Sequence, residues 1–399
     1  MFSKKYNINT DGAKIDELLT RGVDSVYPDV EWLRGELKSG RRLRVYTGWD
    51  PTTTDVHIGH TAWMWKLRQF QELGHEVIVL MGTFTATLGD PSGKADMRKP
   101  MTLQDTRRNA KGFEDKTRVI FDVPGNPITI KSNHEWLAKM SFADVTSLAA
   151  HFTVQQMLER DMFKKRMEDG HPIGVHEFMY PLMQGYDSVA MDVDVEVGGT
   201  DQTFNMLAGR TLMKKVKNKN KGVLTLPMIA DASGRKIGKS EGNAINVDAA
   251  PEDLFGKVMT LPDEVTWQCF EMCTQASLGE IAAWKRQYAD DPRGAKMKLA
   301  HELVRTYYDE SVAKAAQEHF ESVFSRKEMP MDAEVFKLKH GVTWTDVLIE
   351  SKMCSSKNDA RRQMAQGAVK LDGRVIMNGD ETARPGMLQK GKRYFRNLK

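Results

Sequence analysis

Two short runs of chemically active residues, far apart in the chain, could act on one substrate. His57-Ile58-Gly59-His60 sets two imidazoles three apart around a glycine, and Lys236-Ile237-Gly238-Lys239-Ser240 sets two ammonium groups on a glycine-containing loop. Residues three apart on a helix share a face, and the bare backbone at Gly59 lets a planar base or a phosphate come close. Lysine is a compact point charge that suits a moving pyrophosphate. Donors at a helix start, with cations brought from elsewhere, fit the triphosphate of ATP as charge builds between its phosphates. The plain alternatives are a satisfied histidine pair, a zinc pair lacking further ligands at suitable spacing, and an exposed basic loop.

Other polar groups recur at suggestive places. Gly89-Asp90-Pro91-Ser92-Gly93-Lys94 resembles a phosphate loop but has the wrong spacing for a Walker motif, and Ala95 stands where Ser or Thr should follow. Asp90 is better read as a carboxylate able to pair with an ammonium group, with Lys94 and Arg98 as cations four apart. Tyr180, Gln184 and Asp187 fall on one helical stripe, which suits either a pocket for a small zwitterion or a water-facing surface. Gly198-Gly199-Thr200-Asp201-Gln202 offers bare backbone, an acid and an amide, fitting ribose and carboxylate recognition or a plain turn.

These groups need elements to hold them. Residues 42–49 read as a strand entering a glycine turn, and Asp50-Pro51-Thr52-Thr53-Thr54-Asp55 as a loop with N-cap chemistry. A helix is expected from Gly59 to Leu73, stopped by Gly74, followed by a buried parallel strand over 76–82. Strand, loop, helix and strand make a βαβ unit, so an α/β Rossmann-like parallel-sheet catalytic domain is expected over 1–235. Its ligand would lie beyond the carboxyl ends of the strands. Residues 104–180 read as a mostly helical insertion, and 193–199 as a return to the sheet. An α-helical domain is expected over 236–330, and a small α+β module over 340–399.

Composition narrows the class. The 399 residues exceed one ordinary core, and 40% hydrophobic with 28% charged residues is the make-up of a globular chain. Three cysteines without a Cys-x-x-Cys pattern argue against a disulfide framework and a zinc site. No apolar run approaches the roughly 18 residues of a membrane span, so cytoplasmic residence is the default expectation. From His340 onward twelve Lys and Arg face six acids, a net of +6, leaving −2 for the rest of a chain whose total is +4. That asymmetry implies a polyanionic partner at the tail. Lys357, Arg361 and Arg362 on a capped helix, with Lys370 and Arg374 on a hairpin, would supply phosphate contacts to structured RNA. An ordinary solvated basic surface is the alternative.

In order and spacing, Tyr46-Thr47-Gly48-Trp49-Asp50-Pro51-Thr52, the His57–His60 run, the Gly89–Lys94 segment, Tyr180, Gln184 and Asp187, the Gly198–Gln202 turn and the Lys236–Ser240 loop resemble the bacterial-type tyrosyl-tRNA synthetases, class I aminoacyl-tRNA synthetases. The tail is similar to the S-four-type RNA-binding module they often carry. The resemblance implies that Tyr46 and Asp187 bind the phenolic hydroxyl of tyrosine. Asp90, Tyr180 and Gln184 would hold its ammonium group, with Gln202 near its carboxylate. Thr52, His57 and His60 would contact ATP, with Asp50, Gly59 and Ser240 also on the nucleotide side. Gly199 and Asp201 would meet the ribose. Lys94, Arg98, Lys236 and Lys239 would close over pyrophosphate. It implies ATP as substrate with Mg²⁺, tRNA(Tyr) and L-tyrosine as partners, and a homodimer. Thr203-Phe204 departs from the tryptophan common after Gln202, suggesting a distinct subgroup. The rivals are a nucleotidylyltransferase of similar fold activating another acid, and an RNA-binding paralogue without catalysis.

Overall fold

The computed structural model describes residues 6–90, 101–230, 233, 244–322, 333–339, 341–391 and 394–399. They fall into two compact units, Met1–Ala313 and Lys314–Lys399.

The first unit is built on a six-stranded sheet: β1 (Ser25–Tyr27), β2 (Arg44–Trp49), β3 (Glu76–Met81), β4 (Thr129–Ser132), β5 (Val195–Gly199) and β6 (Gly222–Leu226). Their spatial order is β1-β6-β5-β2-β3-β4, with β1 antiparallel to β6 and the other neighbours parallel. β3 and β6 are nearly unbroken apolar runs because helices cover both faces of a parallel sheet. The helix Ile58–Glu72 presses Ile58, Ala62, Trp65 and Phe70 onto the core. Gly74 ends it at φ 92°, where a Cβ would stand 2.4 Å from the Asn7 carbonyl oxygen.

The sheet opens where the chain reverses its order. β2 pairs with β3 from Arg44 to Trp49, but with β5 through Val45↔Val195 and Tyr46↔Glu196. Beyond Tyr46 the link is the Thr47 hydroxyl, which donates to the Val197 carbonyl at 2.8 Å. β2 leads to β3 on one side and β5 to β6 on the other, so their carboxyl ends flank a topological switch point.

The expected helical insertion contains helices such as Leu103–Ala110, Phe113–Phe121 and Phe142–Ala149, but also β4 at the sheet edge. Thr-Ile-Lys-Ser is short, has a single apolar residue and is half-buried throughout, so it shows no strand periodicity. The return to the sheet expected over 193–199 is β5. Asp194 and Glu196 are buried, and the polar side of β5 faces a charged network rather than water. Helices Pro251–Val258, Thr266–Cys273, Leu278–Gln287 and Pro292–Tyr307 follow.

The second unit holds helices Trp344–Glu350 and Lys357–Ala365 and five strands, β7 (Val335–Phe336), β8 (Val369–Leu371), β9 (Arg374–Val375), β10 (Gly386–Lys390) and β11 (Tyr394–Leu398), ordered β7-β11-β10-β8-β9. Ser356 caps the second helix by accepting from the Asp359 amide at 3.2 Å. Trp344, Leu348, Met364, Val369, Leu371 and Leu388 form its core. The class is therefore α/β with a Rossmann-like sheet, an α-helical region and a small α+β unit.

Candidate active site

The crevice at the switch point gathers residues from most of the first unit. Tyr46 leaves β2 fully buried, its hydroxyl 2.8 Å from Ser188 Oγ. Asp187, on the helix Met179–Met191, accepts from Trp136 Nε1 at 2.7 Å and Asn133 Nδ2 at 3.3 Å. Burial pushes the Asp187 carboxyl well above the usual carboxylate range, against the pull of those two donors. Asn133 also donates to Thr85 Oγ1 at 3.0 Å, and Thr85 donates to Asp50 Oδ1 at 2.7 Å. Gly82 makes room for this: a Cβ there would lie 1.9 Å from Asp50 Oδ1.

Tyr180 donates its hydroxyl to Asp50 Oδ2 at 2.7 Å, and Gln184 donates to Glu196 Oε1 at 3.0 Å. Asp90 accepts from Gln202 Nε2 at 2.8 Å and stands 3.6 Å from the Arg160 guanidinium. Gln202 is held in turn by Asn205, 3.0 Å away. The stripe read from the sequence thus turns inward at all three positions. Asp50, expected on the nucleotide side, also belongs to this group through Tyr180. Asp50, Asp90, Asp187 and Glu196 converge here, with Arg160 and Lys221 as the cations among the described residues of this network. A low-dielectric crevice with that balance favours an incoming ammonium group.

The histidines stand at the same sheet edge. His57 is the N-cap of the helix Ile58–Glu72, Gly59 lies in its first turn, and the His57 and His60 rings stack with centroids 3.6 Å apart. His60 meets Trp49, at the end of β2, edge-on at 5.9 Å. Burial, then the neighbouring His57, lowers the His60 pKa to about 3, so its imidazole is neutral near pH 7. The His57 amide donates to His60 Nδ1 at 3.3 Å, which leaves the proton on Nε2 and makes that atom a donor.

Lys94, Arg98, Lys236, Lys239 and Ser240 lie outside the described residues. The segments flanking the lysine run are placed. Before it, Met228 packs at Gly199, where a Cβ would be 2.9 Å from the Met228 sulfur. After it, Ile58 donates to the Ile245 carbonyl and Val247 to that of Val56, both at 2.9 Å, and Asn246 bridges His57. Lys116 adds a clamp, donating to the Thr54 carbonyl at 2.8 Å and pairing with Asp248 at 2.7 Å. Thr52 stands in that fastened loop, its amide donating to the Asp50 carbonyl. Asp201 is exposed in the turn after Gly199, and a Cβ on Gly199 would meet its carboxylate at 2.6 Å.

Sequence reasoning missed Thr85, Asn133, Trp136, Arg160, Ser188, Glu196 and Lys221. Most are single residues in segments without a motif, and Ser188 and Glu196 stand beside motifs whose spacing does not include them, so spacing carried no signal. Phe204, noted as a departure, lies beneath the Arg160 guanidinium at 5.5 Å. In the second unit Lys357, Arg361, Arg362 and Arg374 are exposed and Lys370 is half-buried. Their ion pairs, such as Arg361–Asp380 at 3.5 Å, are surface contacts that hold little energy.

A Rossmann-like sheet with a histidine pair at one strand edge, bridged through His57 to Asn246, defines a nucleotide-dependent synthetase of class I. The chain belongs to the family of class I tRNA synthetases (W and Y), whose model matches residues 38–325. It is 42% identical over 387 residues to tyrosine–tRNA ligase 2 of Vibrio vulnificus (strain YJ016), covering 95% of this chain and 97% of that one. It is 39% identical to the tyrosine–tRNA ligase of Moorella thermoacetica, over all of this chain and 98% of that one. Among solved structures, a C-terminally truncated mitochondrial tyrosyl-tRNA synthetase from Coccidioides posadasii is similar, with TM-score 0.64 and 25% identity over 77% of this chain and 92% of that one.

Proposed function

We infer that the chain is a tyrosine–tRNA ligase. It activates L-tyrosine with ATP to tyrosyl-adenylate and pyrophosphate, then passes tyrosine to the 3′ end of tRNA(Tyr). The observation that carries this reading is the joining of a buried phenol-and-carboxylate pocket, Tyr46 and Asp187, to a stacked histidine pair at one sheet edge, His60 of which is neutral.

Tyr46 and Asp187 meet the phenolic hydroxyl of the substrate, while Asp90, Tyr180 and Gln184 hold its ammonium group. Gln202, already tied to Asp90, orients the carboxylate, which attacks the α-phosphorus of ATP in line. Pyrophosphate leaves with the electron pair of the broken P–O bond. No side chain acts as nucleophile, so the rate comes from positioning and from charge stabilisation in the transition state. His60 Nε2–H and His57 face the phosphates, with Thr52, Asp50 and Gly59 beside them. Gly199 and Asp201 take the ribose. Lys94, Arg98, Lys236, Lys239 and Ser240 meet the departing pyrophosphate. ATP enters as its Mg²⁺ complex, the cation carried mainly by phosphate oxygens. A ribose hydroxyl of the tRNA terminus then attacks the acyl carbon and AMP departs.

Phenylalanine is rejected because the pocket's buried polar groups would be left unpaired without the hydroxyl. Tyrosyl-tRNA synthetases are the reference case for this rule. The basic second unit, an S-four-type module, contacts tRNA through Lys357, Arg361, Arg362, Lys370 and Arg374. A homodimer fits Phe142, Val154 and Val175, large apolar residues 88%, 64% and 78% exposed on the insertion. Cytoplasmic residence belongs with this role. No helix among the described residues is long and apolar enough to cross a membrane. ATP–pyrophosphate exchange across the twenty amino acids tests the reading: exchange with tyrosine supports it, and exchange with another acid alone removes it.

A further inference from the structure

Arg160 reaches the crevice from the insertion, at the N-cap of the helix Asp161–Glu168. That helix is held firmly. Arg166 donates to Glu177 at 2.5 and 3.1 Å, and Phe163 meets Phe178 edge-on at 4.9 Å. Both contacts fasten it to the turn Val175–Phe178, which leads straight into the helix of Tyr180. The Arg160 guanidinium carbon lies 5.8 Å from the Phe163 ring centre and 5.5 Å from that of Phe204, and the side chain is 6% exposed. Two aromatic rings keep water from this charge, which a guanidinium, more weakly hydrated than an ammonium, tolerates well.

A buried charge needs an opposite one nearby. Arg160 stands 3.6 Å from Asp90 Oδ1, longer than the roughly 2.8 Å of a close guanidinium–carboxylate pair. Asp90 Oδ2 accepts from Gln202 at 2.8 Å, so guanidinium and amide flank the same carboxylate. Burial lowers the Arg160 pKa, and the charges of Asp90, Tyr180 and Asp201 oppose that shift. The guanidinium therefore faces the ammonium seat and the ribose turn together. The substrate carboxylate has to lie between those two places, because it attacks the α-phosphorus. Once buried there, it needs a cation. Gln202 is neutral, and Lys221, the other cation among the described residues of this network, is paired with Glu196.

We propose that Arg160 is a substrate-binding residue whose guanidinium takes the α-carboxylate of tyrosine while Asp90 takes the α-ammonium. The proposal rests on the tyrosine-activating reading and adds the cation that seats the reacting group. A carboxylate beside a guanidinium is the reverse of an α-amino acid's own charges. The zwitterion therefore completes two pairs, where a lone amine or a lone acid completes one. As the new O–P bond forms, the carboxylate loses its charge and the hold of Arg160 weakens. The contact thus serves binding more than the chemical step.

Equilibrium binding of three ligands tests this: tyrosine, tyramine, which lacks the carboxylate, and 3-(4-hydroxyphenyl)propionate, which lacks the ammonium. Arg160→Gln should weaken tyrosine and the propionate by about tenfold, the scale of one hydrogen-bonded charge. Tyramine should bind as tightly as before or more so, since Asp90 loses a competing cation. Arg160→Lys keeps the charge without the planar fork and should recover part of the tyrosine affinity. Equal losses for all three ligands overturn the proposal, because Arg160 would then only prop Asp90. So does unchanged tyrosine affinity in folded Arg160→Gln. If that variant fails to fold, wild type decides: tyrosine must bind more tightly than tyramine, and equal affinities overturn the proposal. Wild-type exchange with tyrosine beside unaltered binding in Arg160→Gln defeats this inference alone. A wild type without tyrosine-dependent exchange defeats the functional reading, and this inference with it.

Discussion

Asn246 faces His57 across an isolated antiparallel bridge, so chain that follows the lysine run is fastened to the residue that starts the histidine helix. On the proposed mechanism, both ends of that run serve one nucleotide. Lys236→Ala should slow adenylate formation by about 10²-fold, the scale of removing one transition-state donor, and leave tyrosine affinity nearly unchanged. Single-turnover adenylate formation beside equilibrium tyrosine binding checks this. A loss confined to tyrosine binding would show the roles to be misassigned.

Asp187 gives the opposite signature. Asp187→Ala should abolish the preference for tyrosine over phenylalanine, since the buried acceptor for the phenol is gone. The preference is measured as a ratio of kcat/KM values in pyrophosphate exchange. Because burial raises the Asp187 pKa, tyrosine affinity should fall as pH drops through that raised value and the carboxylate becomes a neutral acid. Trp136→Phe removes a donor to the carboxylate, so the loss should move to higher pH.

Two buried imidazoles tie stability to pH. Burial, with Arg42 and Arg41 nearby, lowers the His75 pKa to about 4, and His60 lies at about 3. The unfolded chain takes up these protons near pH 6.5. A depressed folded pKa gives stability that is present above the unfolded value and lost as pH falls toward the folded one. Between pH 7 and pH 4, His75 alone should cost about 3 kcal/mol. Urea unfolding at stepped pH checks it, and His75→Gln should flatten the slope relative to wild type.

The basic unit should act on RNA without touching the first step. Replacing Arg361, Arg362 and Arg374 with glutamine should leave pyrophosphate exchange intact and weaken tRNA binding. The slope of log affinity against log salt should drop by up to about three, roughly one per phosphate contact removed. Charging that stays at the wild-type level at physiological salt would refute the RNA role of this surface.

Much of this protein is decided locally. The βαβ start, from β2 through the histidine helix to β3, follows from apolar periodicity and Gly74, because short-range sterics and burial set helix and strand. The stripe of Tyr180, Gln184 and Asp187 and the capped helix after Ser356 are legible for the same reason. β4 was not, since a four-residue edge strand with one apolar residue, half-buried throughout, draws its order from its neighbour rather than from its own pattern. Only tertiary structure could show that Asp187 is held by Asn133 and Trp136, that Asp50 joins the Tyr180 group, and that Lys221 reaches Tyr46 through Ser188. Those contacts span long stretches of sequence and depend on where the sheet splits beyond Tyr46. Residue type fixes which atoms can donate or accept, but the partner each finds is chosen by how strands and helices pack.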